Sequence, residues 1–380
     1  MTTYLLVDDA LRSHELRHEI AEGIGDPVIF VEHDGKRILV GSILEQATFE
    51  KREDIVDEYW TFNELGVEDL IKNDSFPKDS MIDELAVRAL EKLGVFAVTV
   101  PANFRLATAD YLRDKGVEVA IDIEAWEMRR RRKAPWEIEG IERAQRACDT
   151  AMMAAARMLR EAEPTADGQL RFEGEILTAE LIRIAMQAEL LDAGAYSEDI
   201  LVQCGDAALS GHELGSGPIV ADQSIVIDVF PTDRRTGCWS DMTRTFVAGT
   251  PSDELRNLHA HVRKALDIAF DSLRPGTKHA HQAVADYFHD QGFPTASHHK
   301  GPDPLREGFF HSLGHGVGLE THEPPALNRR PDELIEGDVV AVEPGLYFAG
   351  IGGVRLEDTV VITADGIEHF SDPLPYDLEP

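Results

Sequence analysis

Residues 341–363 read AVEPGLYFAGIGGVRLEDTVVIT. An apolar run ends in Glu343 immediately before Pro344-Gly345, so an acid closes a strand where a turn begins. A carboxylate inside VVAVEPG is expected to be at least partly buried, which is costly unless it is paired or bound to a cation. Arg355 and Glu357 are two apart and share one face of an extended segment, leaving Val354 and Leu356 for the other. The ordinary alternative to a site is an internal ion pair of Arg355 with Glu357 or Glu343.

Upstream lies FFHSLGHGVGLETHEPP (309–325), in which His311, His315 and His322 occur at spacings of four and seven. One histidine would read as a core residue, but three in a glycine-rich stretch weaken that reading. Gly314 and Gly316 flank His315 and are expected to let backbone and imidazole approach a ligand closely. Further upstream, Asp228 lies near the end of the run SIVIDVF (224–230), and Asp241 precedes MTRTFV (242–247). The intervening VFPTDRRTGCWS is rich in turn residues, so the strands can pair as a hairpin with both acids at one end. Alone, two such acids read as surface residues. Together, four carboxylates and one imidazole are too much negative charge to bury without counterions, and two divalent cations would neutralise them. An oxygen-rich set with one imidazole suits Mn²⁺, Co²⁺, Fe²⁺ or Zn²⁺.

The rest of the chain supplies a frame. Residues 1–130 alternate strand-like runs with helical patterns, and Asp34-Gly35 between PVIFVEHDG and KRILVGS signals a hairpin. They predict a small α/β domain without a cluster of catalytic residue types. The basic run in WEMRRRRKAPWE (126–137) reads as a solvated linker and marks a boundary, with a second domain over 131–380. Helices are predicted on Ile138, Ile141, Cys148, Met152, Ala155 and Leu159, and on Leu177, Leu181, Ile184, Ala188 and Leu191 with Gly194 as its stop. Two more cover about 250–275 and 278–291, and DVVAVE (338–343) and DTVVIT (358–363) are strands. Helices set apart from antiparallel strands predict an α+β domain.

Seventy acidic residues face 37 basic ones, a net charge of −33. That field repels nucleic acid and anionic membranes, so neither is an expected partner. The acids are spread evenly, a pattern similar to that of proteins from salt-loving organisms. Cys148, Cys204 and Cys238 form no CxxC pair and read as structural thiols. With no apolar run long enough for a bilayer and charges near the N-terminus, the reading is cytoplasmic.

The three motifs resemble the pita-bread metallopeptidases, the family of methionine aminopeptidase, aminopeptidase P, prolidase and creatinase. The resemblance covers about 135–370. SDMTRTF, LGHGVGLETHE, EPGLY and GGVRLEDT are similar to its proline-specific branch. It implies a C-terminal pita-bread domain behind a creatinase-type N-terminal domain. It also implies two divalent cations per chain, with Mn²⁺ the first expectation. Asp228 would chelate one cation, Asp241 and Glu357 would bridge both, and His315 and Glu343 would bind the second. Glu343 would also move protons, His212 would polarise the scissile carbonyl and His322 would contact the substrate backbone. His311 would line a proline pocket, and Arg355 would hold the bridging acids and the substrate. The two aspartates stand thirteen apart, a longer spacing than the family's commonest, with the excess in the turn PTDRRTG. The implied activity is release of an N-terminal residue ahead of proline from a small peptide, by a homodimer. Dipeptide-only cleavage, and hydrolysis of a non-peptide amide such as ectoine, share every ligand. A binding module on a dead peptidase fold would be expected to have lost them.

Overall fold

The computed structural model describes residues 2–52 and 54–380, and the chain divides into two compact units, Met1–Arg130 and Arg131–Pro380. In the first, β-branched and aromatic runs build a six-stranded sheet. Its order is Glu58–Thr61, Lys36–Gly41, Val28–His33, Tyr4–Asp8, Ala97–Val100 and Glu118–Ile121. Asp34 and Gly35 both take positive φ, 52° and 77°, which lets His33 and Lys36 pair across a two-residue turn. Helices such as Met81–Leu93 bury Leu85, Ala86, Ala89 and Leu90 against this sheet.

The second unit is α+β. An antiparallel sheet runs in the order Ile200–Cys204, Ile225–Val229, Met242–Phe246, Glu357–Thr363, Val339–Val342, Gly314–Gly316 and Glu323–Leu327. Gly366–His369 pairs with Glu357–Thr363 to complete eight strands. Helix Pro135–Glu161 begins with proline at its first position, where the missing N–H is no loss. Its start is closed by the Ala134 amide donating to Glu137 at 2.7 Å. Helix Asp253–Ser272 is capped by Ser252, whose hydroxyl accepts from the Leu255 amide at 3.1 Å. It buries Leu255, Leu258, Val262 and Leu266 in a core shared with the strands Val339–Val342 and Glu357–Thr363.

Two expectations are corrected. Helix Ala179–Asp192 buries Ala179, Ile182, Met186 and Leu190, whereas Ile184 and Leu191 are exposed. The segment carries apolar residues on two stripes, and packing against the alanine-rich face of Pro135–Glu161 selects the other one. The basic run is not solvated. In the first unit, Arg129 bridges Glu19 at 2.5 Å and Glu32 at 2.6 Å. In the second, Arg131 meets Asp338 through two bonds of 2.8 and 2.6 Å, and Lys133 pairs with Glu323. A carboxylate excess this large gives buried cations ready partners.

Asp338 is fully buried and also accepts the Ile335 amide at 2.8 Å, at the entrance to strand Val339–Val342, which Glu343 follows. Removing one member of such a pair strands the other charge. Asp338→Ala is therefore expected to destabilise the fold by about 3–5 kcal/mol, read as a lowered urea midpoint at constant slope.

Candidate metal centre

Strand register assembles the site. Asp228 pairs with Thr243, and Thr243 pairs with Glu357. Glu343 follows Val342, the partner of Asp358, so it continues this row beside Glu357. Two residues along, a second row holds Asp241 beside Thr359, then Ala341, then His315. Because side chains repeat every second residue, both rows project from the same sheet face. The small side chains Thr243, Thr359 and Ala341 alternate with the larger donors. Asp358, one residue out of phase, takes the opposite face and meets Arg244 at 2.8 Å.

On the site face, donor atoms of Asp241, His315 and Glu357 lie within 4.8 Å of one another. His315 Nε2 stands 3.8 Å from Asp241 Oδ2 and 4.0 Å from Glu343 Oε1. His315 Nδ1 faces the Gly316 carbonyl at 3.1 Å and so carries the proton, leaving the Nε2 lone pair toward the carboxylates. Gly314 and Gly316 are required by the sheet, and Gly314 also lines the cavity beside His315. A Cβ at Gly314 would meet the Ala341 carbonyl oxygen at 1.9 Å, and one at Gly316 the Pro324 oxygen at 2.4 Å.

Arg355 is buried and pairs with Asp228 at 2.5 Å, not with Glu343 or Glu357. It also donates to Thr243 Oγ1 at 3.1 Å and to the Tyr347 hydroxyl at 3.2 Å. Tyr347, unmarked in the sequence, is a further component: its hydroxyl meets His311 Nε2 at 3.1 Å. Its signal was the alternation of GLYF beside EPG, which sends Tyr347 to the same side as Arg355. A cavity of about 820 Å³ is lined by all nine expected residues: Asp228, Asp241, His212, His311, His315, His322, Glu343, Arg355 and Glu357. His212 and His322 are exposed at its mouth, and His322 stacks edge-on against His315 with centroids 4.1 Å apart.

The electrostatics fit divalent cations. Burial, then the neighbouring carboxylates, pushes Asp241 and Glu357 well above the ordinary range of acids. Burial raises Glu343 to about 7 against the opposing charge of Arg355. Burial holds His315 down at about 4 and His311 at about 3, so both rings are neutral donors or ligands. Asp228 Oδ1 and Asp241 Oδ1 are buried without a hydrogen-bond partner among the described residues. Asp241, His315, Glu357 and Glu343 would hold one cation; Asp228, with Asp241 and Glu357 shared, would hold the second. Orphaned carboxylate oxygens and a correctly oriented imidazole make this set a match for divalent metals.

An oxygen-rich cradle with one imidazole, on one face of an antiparallel sheet, defines a divalent-metal protein. The chain belongs to metallopeptidase family M24, whose model matches residues 139–364. It is similar to the uncharacterized peptidase YqhT of Bacillus subtilis, at 31% identity over 221 residues, covering 55% of this chain and 58% of the relative. It is also similar to the Xaa-Pro dipeptidase of Pyrococcus furiosus, at 30% over 243 residues, covering 63% of this chain and 62% of the relative. The chain thus matches about three fifths of the length of these relatives. Its fold is shared with the X-Pro aminopeptidase from Thermotoga maritima, with a TM-score of 0.77 at 22% identity, covering 99% of this chain and 97% of that one. The prolidase from Pyrococcus furiosus gives 0.72 at 21%, with coverage of 99% and 97%.

Cations must displace protons here. Glu343 in the metal-free fold sits at about 7, above its ordinary value of 4.5, so near pH 6.5 much of it is protonated. Calorimetric titration with Mn²⁺ is expected to show proton release, with affinity rising from pH 6 to 8. Glu343→Gln should release fewer protons and bind more weakly.

Proposed function

We propose that the chain is a metal-dependent peptidase that hydrolyses the bond before proline and releases the N-terminal residue. The observation carrying this reading is the convergence of four carboxylates and His315 with three further histidines in one cavity. When bound, two cations, with Mn²⁺ our choice, supply Lewis acidity and neutralise the buried acids. The chain's own groups would do the rest. Arg355 fixes Asp228 and, through Thr243, borders Glu357. Glu343, at the inner end of the cavity, would carry a proton toward the departing proline nitrogen. His212 and His322 stand at the mouth, where N–H donors would stabilise the oxyanion. Burial, followed by the charge of His212, lowers His322 and keeps its ring neutral. His311, locked between the Ser312 carbonyl at 2.7 Å and Tyr347, would form a fixed wall for the pyrrolidine ring.

Dipeptide-only cleavage is the second reading, favoured by the name of the Pyrococcus furiosus relative. A cytoplasmic setting, a homodimer and a surface adapted to high salt complete the proposal. No described helix is long and apolar enough to cross a membrane.

Mass spectrometry of products from Ala-Pro-Ala and Ala-Pro, in high potassium chloride with Mn²⁺, tests the reading. Release of Ala from the tripeptide, lost with EDTA, is expected. Cleavage of the dipeptide alone would establish the second reading, and cleavage of neither would overturn both. His322→Ala is expected to lower kcat by about 10²-fold or more with two cations still bound.

A further inference from the structure

The loop that carries His212 reaches the metal cavity with little to hold it. Ser210, Gly211, His212 and Leu214 line the cavity, and residues 210–214 are all exposed. The His212 ring makes no hydrogen bond among the described residues, and a Cβ at Gly211 would meet nothing within 4 Å. Side-chain bonds and packing therefore do not fix the imidazole, and its backbone must. The downstream end of the loop is pinned: the Leu214 carbonyl accepts the Val202 amide at 2.9 Å. Arg183 adds bonds to the Leu214 and Gly215 carbonyls at 2.9 and 3.0 Å.

The tip itself is held from beneath by Gln203, fully buried in strand Ile200–Cys204. Gln203 pairs with Val226, so its side chain shares the sheet face of Asp228, two residues along from Val226. Its side-chain NH₂ donates to the Ser210 carbonyl at 2.7 Å and to the Glu213 carbonyl at 2.6 Å, bracketing Gly211 and His212. Both partners are acceptors, so only the NH₂ end of the amide can fill this position. The tip's own bond, from the Glu213 amide to the Ser210 carbonyl, is long at 3.2 Å. At the other end of the side chain, Gln203 Oε1 is buried with no hydrogen-bond partner among the described residues. An apolar side chain of similar length would avoid that cost, so core stability does not explain the residue.

We propose that Gln203 is the positioning residue for His212. Its two donated hydrogen bonds fix the loop tip so that the imidazole meets the scissile carbonyl at the cations. The assignment rests on the peptidase reading, in which His212 polarises that carbonyl. Gln203 does not line the cavity and acts only through the backbone of residues 210–213.

Gln203→Met keeps the side-chain length and removes both donors together with the orphaned acceptor. In the Mn²⁺-loaded enzyme it should lower kcat on Ala-Pro-Ala by about tenfold, with KM within about twofold, as two ordinary hydrogen bonds are lost. Melting temperature and the two bound cations should be retained. In a His212→Ala background the same substitution should change kcat by less than about twofold. Gln203→Asn, one methylene short, should behave as Gln203→Met does. Adding Gly211→Ala should restore part of kcat by stiffening the tip, because Gly211 is outside the left-handed region and has room for a Cβ. Hydrogen exchange followed by mass spectrometry is a readout independent of turnover: a peptide covering 210–215 should exchange about tenfold faster in Gln203→Met. If the wild-type chain cleaves no proline peptide, the proline reading falls; faster exchange confined to this loop then upholds the tether, and unchanged exchange overturns it. With an active enzyme, an unchanged kcat, an equal loss with and without His212, or a loss that follows melting temperature or metal content overturns the proposal.

Discussion

Four carboxylates share one face of an antiparallel sheet with a single guanidinium among them. Two unit charges about 4 Å apart repel by about 4 kcal/mol at an effective dielectric of 20, and burial adds a desolvation penalty. Arg355 relieves part of this by taking Asp228. Asp241, Glu343 and Glu357 remain, and each is pushed toward its protonated form. The fold tolerates such a cluster where divalent cations replace those protons, and the surrounding features follow from that need. His315 turns its lone pair inward, threonines and an alanine space the donors, and Tyr347 ties Arg355 to His311.

The same sheet explains why distant parts of the sequence form one site. Asp228 and Glu357 come from separate strands and Glu343 directly follows a third, yet the sheet's register places them in one row with Thr243. A slip of one residue would send Glu357 to the face where Asp358 meets Arg244. Register is held by the buried runs Ile225–Val229 and Val339–Val342, whose side chains pack on both faces. Stability of the core and geometry of the site are therefore one constraint.

Much of this was legible in the chain. Glu343 before Pro344-Gly345, the histidines of 309–325 and the alternation around Arg355 and Glu357 each carry a local signal, because strand periodicity and turn chemistry are local. What escaped depends on tertiary pairing. The partner of Arg355 is Asp228, 127 positions away, and no local pattern favours it over the nearer glutamates. Arginines 129–131 read as a solvated run because their acidic partners are distant in sequence. The stripe of helix Ala179–Asp192 was misread because two faces were apolar and only packing chose between them. The tether of the His212 loop was hidden in the same way: Gln203 sits in an apolar run, and no local pattern pairs it with carbonyls seven and ten positions on.

The buried acids exist to hold two cations. Anomalous diffraction from Mn²⁺-soaked crystals, with metal content measured on the same preparation, addresses this directly. Two peaks per chain are expected between the two rows, one near His315 and Glu343 and one near Asp228, with Asp241 and Glu357 close to both. A folded chain with no metal at this face, its carboxyls simply protonated, would contradict it.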